Sequence, residues 1–304
     1  MKGTIAALTA NAEMPRRNYF AVPPLLALLA LLLWKNRALT EGIRTGLFLA
    51  GHAVIPALFP FAMLSSYLIA LAAPLSGGRT RFPPATVPFF VGLLCGFPLG
   101  AKSACDGVRL GLWSKKDAER MLCFCNNTGL AFLIAGVGGT MRGNIHDGIV
   151  LFCVQTIVAL LTGIGMRRCR GKTSAENTPA LPSAAFPRFP DVMRNAVGSA
   201  LTVTGYIAFF SGILAVIRTF LPAVLYPYAA ACLEVGTACN VLAGMQNSLP
   251  LTAFAVIFSG ISVHMQTASF AAESGVRIFP AMVCKALGGI LGATLTVAFL
   301  RFAT

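Results

Sequence analysis

Apolar stretches long enough to cross a lipid bilayer recur along this chain, and that recurrence restricts the fold more than any other feature of the sequence. About 20 apolar residues in a helix span the hydrocarbon core, and residues 19–34, 60–75, 147–166, 201–220 and 279–300 are the clearest candidates. Only 11% of the 304 residues are charged and 56% are hydrophobic, with a mean hydropathy of +0.75. Soluble domains of this length do not keep so little charge. The expected fold class is an all-α polytopic membrane protein. Residues 19–34 are read as an uncleaved first helix, since no small-residue cleavage site follows the run.

The net charge of +14 is spread over loops and segment ends, at Arg16, Arg17, Lys35, Arg37, Arg79, Arg81, Lys115, Lys116 and in "RRCRGK" at residues 167–172. Without a basic face interleaved with aromatics, no nucleic-acid partner is expected; the lipid bilayer is. Basic loops mark the cytoplasmic side, and "RRCRGK" is the strongest such marker. Nine cysteines sit mostly in apolar segments with no CxxC pair. They are expected to pack as small hydrophobes and to hold no metal. HExxH, GxSxG and GxxxxGK[ST] motifs are absent and the three histidines are scattered, so neither catalysis nor a cofactor is expected.

The chain matches itself in three places, in the same order. "AMLSSYLIAL" at residues 62–71 resembles "AFFSGILAVI" at 208–217. "GLLCGFPLG" at 92–100 resembles "CLEVGTACN" at 232–240, aligning Gly96 with Gly236, and "NNTGLAFLIAG" at 126–136 resembles "IFSGISVHMQT" at 257–267, aligning Gly129 with Gly260. The segment 167–190, polar and rich in proline and serine, reads as a linker. The expected organisation is an N-terminal transmembrane helix (1–38), a first repeat (39–166), the linker (167–190) and a second repeat (191–304).

Each half reads as a full span, two short apolar pieces around a glycine-containing turn, a longer segment with a polar break, and another full span. The turns and breaks fall at "GFPLG" and "NNTG" in the first half, and near "VGTACN" and "SGIS" in the second. A piece that turns back crosses nothing, so three crossings per half leave the halves inverted. Pro98 removes a backbone donor, and the glycines permit turns that other residues resist. Backbone left bare at membrane depth is tolerated only against protein or a wet cavity. Two re-entrant helical hairpins and two interrupted helices in inverted repeats are the architecture with which secondary transporters build a midplane site.

Candidate site residues are the polar and turn-forming ones at these breaks: Gly96, Pro98, Gly100, Lys102, Asn126, Asn127 and Thr128, then Glu234, Thr237, Asn240, Ser262 and Gln266. Helices that begin at a break present free N–H groups and the positive end of their dipole to an anionic group. Glu234 is expected to bind a coupling proton or cation, to accept from a substrate N–H, or to pair with Lys102; a carboxylate at such depth is functional by default. Between His264 and Gln266, two residues apart and so on different faces of a helix, Gln266 is preferred. Asp106 and Arg109, spaced i,i+3, are expected to pair with each other. Residues 39–61 and 191–206, charged at their starts, are either interfacial amphipathic helices or ordinary helix starts.

Together "IPALFPFAMLSS", "VGLLCGFPLGAKSACD", "ERMLCFCNNTGLAFLIAGVG" and "SGISVHMQ" resemble the family of sporulation integral membrane proteins called YlbJ or stage V sporulation protein V, within the nucleoside-recognition Gate-domain group. The resemblance runs from about His52 to the C-terminus. It implies a core similar to that of concentrative nucleoside transporters, location in the outer forespore membrane or the cell membrane, and movement of dipicolinic acid into the forespore. The small anionic substrate this implies suits helix N-termini, two asparagines and a lysine. A transporter of the same architecture for nucleosides or other neutral solutes is the first alternative, and a non-transporting membrane scaffold or assembly factor the second. The coupling ion, proton or sodium, and homo-oligomerisation stay open.

Overall fold

A computed structural model of the chain describes residues 22–75, 85–168 and 187–303. The basic residues Arg16, Arg17, Arg79 and Arg81, the first residues of the expected span 19–34 and most of the expected linker 167–190 lie outside the described residues. Within them the chain is helical, with no strand.

The first helix, α1 (Val22–Trp34), is bent by 84° from α2 (Asn36–Leu49). A π-helical stretch (Ala50–Val54) leads into α3 (Ile55–Leu75). Then come two short helices, α4 (Thr86–Leu94) and α5 (Leu99–Arg109), followed by α6 (Lys115–Cys125), a π-helical segment (Phe132–Met141) and the long α7 (Ile145–Arg168). The second half repeats the plan. The 30-residue α8 (Phe189–Arg218) precedes the short pair α9 (Tyr226–Leu233) and α10 (Val235–Ala243), then α11 (Leu249–Phe258), α12 (Gly260–Ser274) and α13 (Phe279–Ala303).

Among the described residues, four helical stretches are long and apolar enough to cross a membrane, Ile145–Arg167, Phe189–Arg218, Leu249–Ser274 and Phe279–Phe302, and the bent α1–α2 pair adds a fifth if it counts as one span. Their outward faces carry exposed Ile149, Ile157, Leu161, Leu201, Phe209, Leu287 and Ile290. In water such surface is a liability; in lipid it is solvated.

Local chemistry sets the boundaries. Helix α8 starts with Pro190 at its first turn and Asp191 beside it and ends with Arg218, which suits the helix dipole at both ends. It is continuous through residues 191–206, so that segment is an ordinary helix start and not a separate interfacial helix. Ser114 caps α6, its hydroxyl accepting from the Asp117 N–H at 3.2 Å. Helix α12 stops at Gly275, whose φ of 65° is left-handed and whose N–H returns to the preceding turn.

Polar contacts tie the two halves together at three levels. At one end Arg109 reaches Glu273, and the Arg277 side chain grips both carboxylate oxygens of Glu119, at 2.9 and 3.0 Å. At the other, Arg142 pairs with Asp147 and donates to the Ser248 hydroxyl at 3.0 Å. Between them lies the site.

Candidate functional site at four helix breaks

Four interruptions of helical backbone meet in the interior. The first, residues 95–98, separates α4 from α5; the Phe97–Pro98 bond is cis and Gly96 has a φ of 90°. The second, residues 126–129, separates α6 from the helical segment that follows. Gly96 and Gly129 touch backbone to backbone, so closely that a Cβ on Gly96 would stand 2.7 Å from the Gly129 nitrogen. The third break is the single extended residue Glu234 between α9 and α10. The fourth is the left-handed pair Ser259 and Gly260. A Cβ on Gly260 would stand 3.0 Å from the Leu233 carbonyl and 3.1 Å from the Glu234 nitrogen.

Gly129 therefore meets residues 95 and 96, and Gly260 meets residues 233 and 234. The two glycines make corresponding contacts, but the second hairpin turns two residues earlier than the pairing of Gly96 with Gly236 places it. Thr237 and Asn240 consequently lie inside α10 and not on a turn.

One cavity of about 50 Å³ is walled by three of these breaks and by α12: Cys95, Gly96 and Phe97 from the first break, Thr128 and Gly129 from the second, Glu234, Val235 and Gly236 from the third, and Val263 and Gln266 from α12. Leu49, Leu58, Phe61, Val203 and Ile207 close it from the side. A few waters fit in such a volume, and an aromatic dicarboxylate does not. A larger groove of about 390 Å³ between α4, α6 and α7 contains none of the break residues.

Each polar break residue has a definite partner or a definite lack of one. The Glu234 carboxylate caps its own helix, accepting from Gly236 N–H at 3.0 Å and Thr237 N–H at 2.6 Å. These bonds and the dipole of α10 favour the carboxylate form. The α10 N-terminus is thus occupied from within and does not offer those donors to a ligand. Gln155 of α7 grips the second break at both ends of one residue, accepting from Thr128 N–H at 3.0 Å and donating to the Thr128 carbonyl at 2.8 Å. The Thr128 hydroxyl donates across the halves to the Val256 carbonyl at 2.7 Å. Asn126 donates to the Thr267 hydroxyl at 3.0 Å, while its own side-chain oxygen finds no partner among the described residues.

Asn127, fully buried, donates to the Phe124 carbonyl at 2.7 Å and accepts at 2.9 Å from the ammonium of Lys285 on α13. Gln266 donates at 3.4 Å to the Ser262 hydroxyl, and its side-chain oxygen is unpartnered among the described residues, as is Nε2 of buried His264. Leaving a buried acceptor unmet costs about 1–3 kcal/mol; of the two unmet amides Gln266 lines the cavity and Asn126 does not.

Of the twelve sequence-derived candidates, Gly96, Thr128, Glu234 and Gln266 line the cavity. Asn126, Asn127 and Ser262 are buried beside it. Pro98 begins α5, and Gly100 packs against the Cys125 carbonyl. Lys102 does not pair with Glu234: its ammonium is 2.8 Å from Asp106, four residues on, and Asp106 also holds Arg109 at 2.5 Å. The Thr237 hydroxyl lies 3.3 Å from that of Ser211, and Asn240 is exposed. Sequence reasoning misses Gln155 and Lys285. Both carry a signal, an amide inside "VLFCVQTIVALL" and the one charge inside "AMVCKALGGILGATL".

Span-length helices with lipid-compatible outer faces, around an interior where interrupted helices meet, define an integral, multi-pass, all-α membrane protein. The chain is 25% identical to the sporulation integral membrane protein YlbJ of Bacillus subtilis (strain 168), in an alignment covering 88% of this chain and 79% of that one. No family model and no solved structure matches this chain.

Proposed function

We propose that this protein is a secondary transporter for a small organic anion, dipicolinate being the first candidate, and that it serves sporulation as the name of its relative implies. The observation that carries this reading is the convergence of three helix breaks on one cavity, with the fourth, at Gly260, packed against Leu233 and Glu234 of the third. Interrupted backbone and unpaired polar groups in lipid persist where they line a solute path. In this reading the two halves are inverted repeats, and the hairpins move against the spans to open the cavity to one side at a time. Glu234, the one carboxylate on the described cavity wall, is the place for a coupling proton or sodium ion. The protein moves its solute unchanged and catalyses no reaction.

A second reading, a neutral solute such as a nucleoside, is favoured by the lining itself, which among the described residues holds Glu234 and Gln266 but no basic side chain. Purified protein in vesicles should take up labelled dipicolinate in preference to uridine, and Gln266→Leu should abolish uptake. Preference for uridine selects the second reading. Uptake of neither solute, with wild-type function in cells retained by Gln266→Leu, makes the protein a scaffold.

A further inference from the structure

Among the described residues, Lys285 is the one cation buried in the interior without an anion. It stands on α13 with 4% of its surface exposed, and neighbours Val283 and Leu287 on the same helix face lipid. Its ammonium can donate three hydrogen bonds; the one formed goes to the Asn127 side-chain oxygen at 2.9 Å. No carboxylate lies within ion-pair reach among the described residues. The comparison with other sheltered cations is direct, since Lys102 is held by Asp106 and Arg142 by Asp147. Around Lys285 is a small cavity of about 10 Å³, walled also by Cys123, Gln155 and Cys284.

An unpaired ammonium at this depth is expensive, and such groups are kept where a counter-charge arrives. The route for one is short. Asn127, which holds the ammonium, directly precedes Thr128 and Gly129 in the cavity wall. The positive charge therefore stands one residue behind that wall, held by Asn127.

We propose that Lys285, held by Asn127, is the charge-selecting residue of the site: it supplies the positive potential that admits a carboxylate-bearing solute and rejects its neutral isostere. This rests on the anion-transport reading and adds to it the residue that enforces the sign. A unit charge acting over roughly two side-chain lengths at intermediate dielectric is worth about tenfold or more in anion affinity.

The test uses the full-length protein and two probes of matching shape, dipicolinate and pyridine-2,6-dicarboxamide, with binding measured calorimetrically. Wild type should prefer the dicarboxylate. Lys285→Met should lose about tenfold or more of dicarboxylate affinity while diamide affinity changes little, and Lys285→Arg should keep part of the preference. Asn127→Asp supplies a permanent internal counter-charge; it should melt at a higher temperature than wild type and lose the preference for the dicarboxylate. That variant decides the matter if Lys285→Met does not fold. Wild-type preference in Lys285→Met or in Asn127→Asp overturns the inference and leaves the transport reading intact, as does a less stable Asn127→Asp. Equal binding of both probes by wild type also overturns it, whereas binding of neither removes the anion-transport reading first and this inference with it.

Discussion

Gly96 and Gly129 meet with no room for a side chain on either, the Gly96 α-carbon lying where a Cβ on Gly129 would come within 3.1 Å of it. This contact joins the first hairpin to the first interrupted helix, and the hydrogen-bonded polar groups around the cavity depend on it for their spacing.

Substitution at this contact is therefore expected to be severe. Gly96→Ala meets both the crowding and the strain of a φ of 90°, and should destabilise by about 2 kcal/mol or more. Gly198→Ala is the control, because a Cβ on Gly198 in α8 meets nothing within 4 Å, and it should be neutral or stabilising by up to about 1 kcal/mol. Melting curves in detergent read the difference, and equal stability of the two variants would contradict the contact.

Gln155 is expected to matter through the backbone it holds. Gln155→Leu leaves the Thr128 N–H and carbonyl without their partner and should destabilise by about 1–3 kcal/mol. Melting temperature tests this, together with thiol labelling of an Asn127→Cys probe, which should react faster when the break is no longer held.

Glu234 caps α10, and the transport proposal gives it a second, separable role as ion carrier. Glu234→Ala removes the acceptors for Gly236 and Thr237 N–H and should cost about 0.5–2 kcal/mol of stability. Glu234→Gln keeps one acceptor and so most of the stability, but cannot carry a proton; gradient-driven uptake should fail while exchange of solute across the membrane continues. Undiminished gradient-driven uptake by Glu234→Gln would exclude Glu234 as the coupling group.

The pair formed by Glu119 and Arg277 lies at the polar entrance of α6, and the bonds from Arg277 hold the Glu119 carboxyl below its ordinary value of 4.5. A depressed carboxyl contributes stability above its unfolded pKa, and that contribution disappears as pH falls through the folded one. Wild type should thus lose melting temperature on acidification below about pH 4.5 more steeply than Glu119→Gln. The exchange Glu119→Arg with Arg277→Glu should recover part of what either single change loses. Parallel pH profiles for wild type and Glu119→Gln would show that the pair contributes nothing.

Much of this arrangement is legible in the sequence, and the parts that are not share a cause. Polar residues interrupting apolar runs locate the breaks at "GFPLG" and "NNTG", because lipid cannot satisfy the backbone groups that such a break leaves bare. The internal repeat sets the second hairpin two residues late, since a one-residue break at Glu234 leaves no glycine or proline signature of its own; the carboxylate caps the new helix instead. Proximity to a turn points Lys102 toward the site, although Asp106 stands four residues on, the spacing at which a helix pairs opposite charges. Asn240 is a candidate for its polarity, and it shares a helical face with Gly236 four residues back, but it lies six residues past the turn, where that face is exposed. Gln155 and Lys285 are hidden inside runs that read as uniform spans. Apolar averages over about 20 residues conceal a single inward-facing polar group, and only the packing of α7 and α13 reveals which way it faces.

The capping of α10 by Glu234 has one more consequence. The N-terminus of α10 is stoppered by its own acid, while that of α5, opened by Pro98, carries no side-chain cap. Under the transport proposal the two ends are therefore unequal, and even a molecule with two identical ends would be gripped by one of them first.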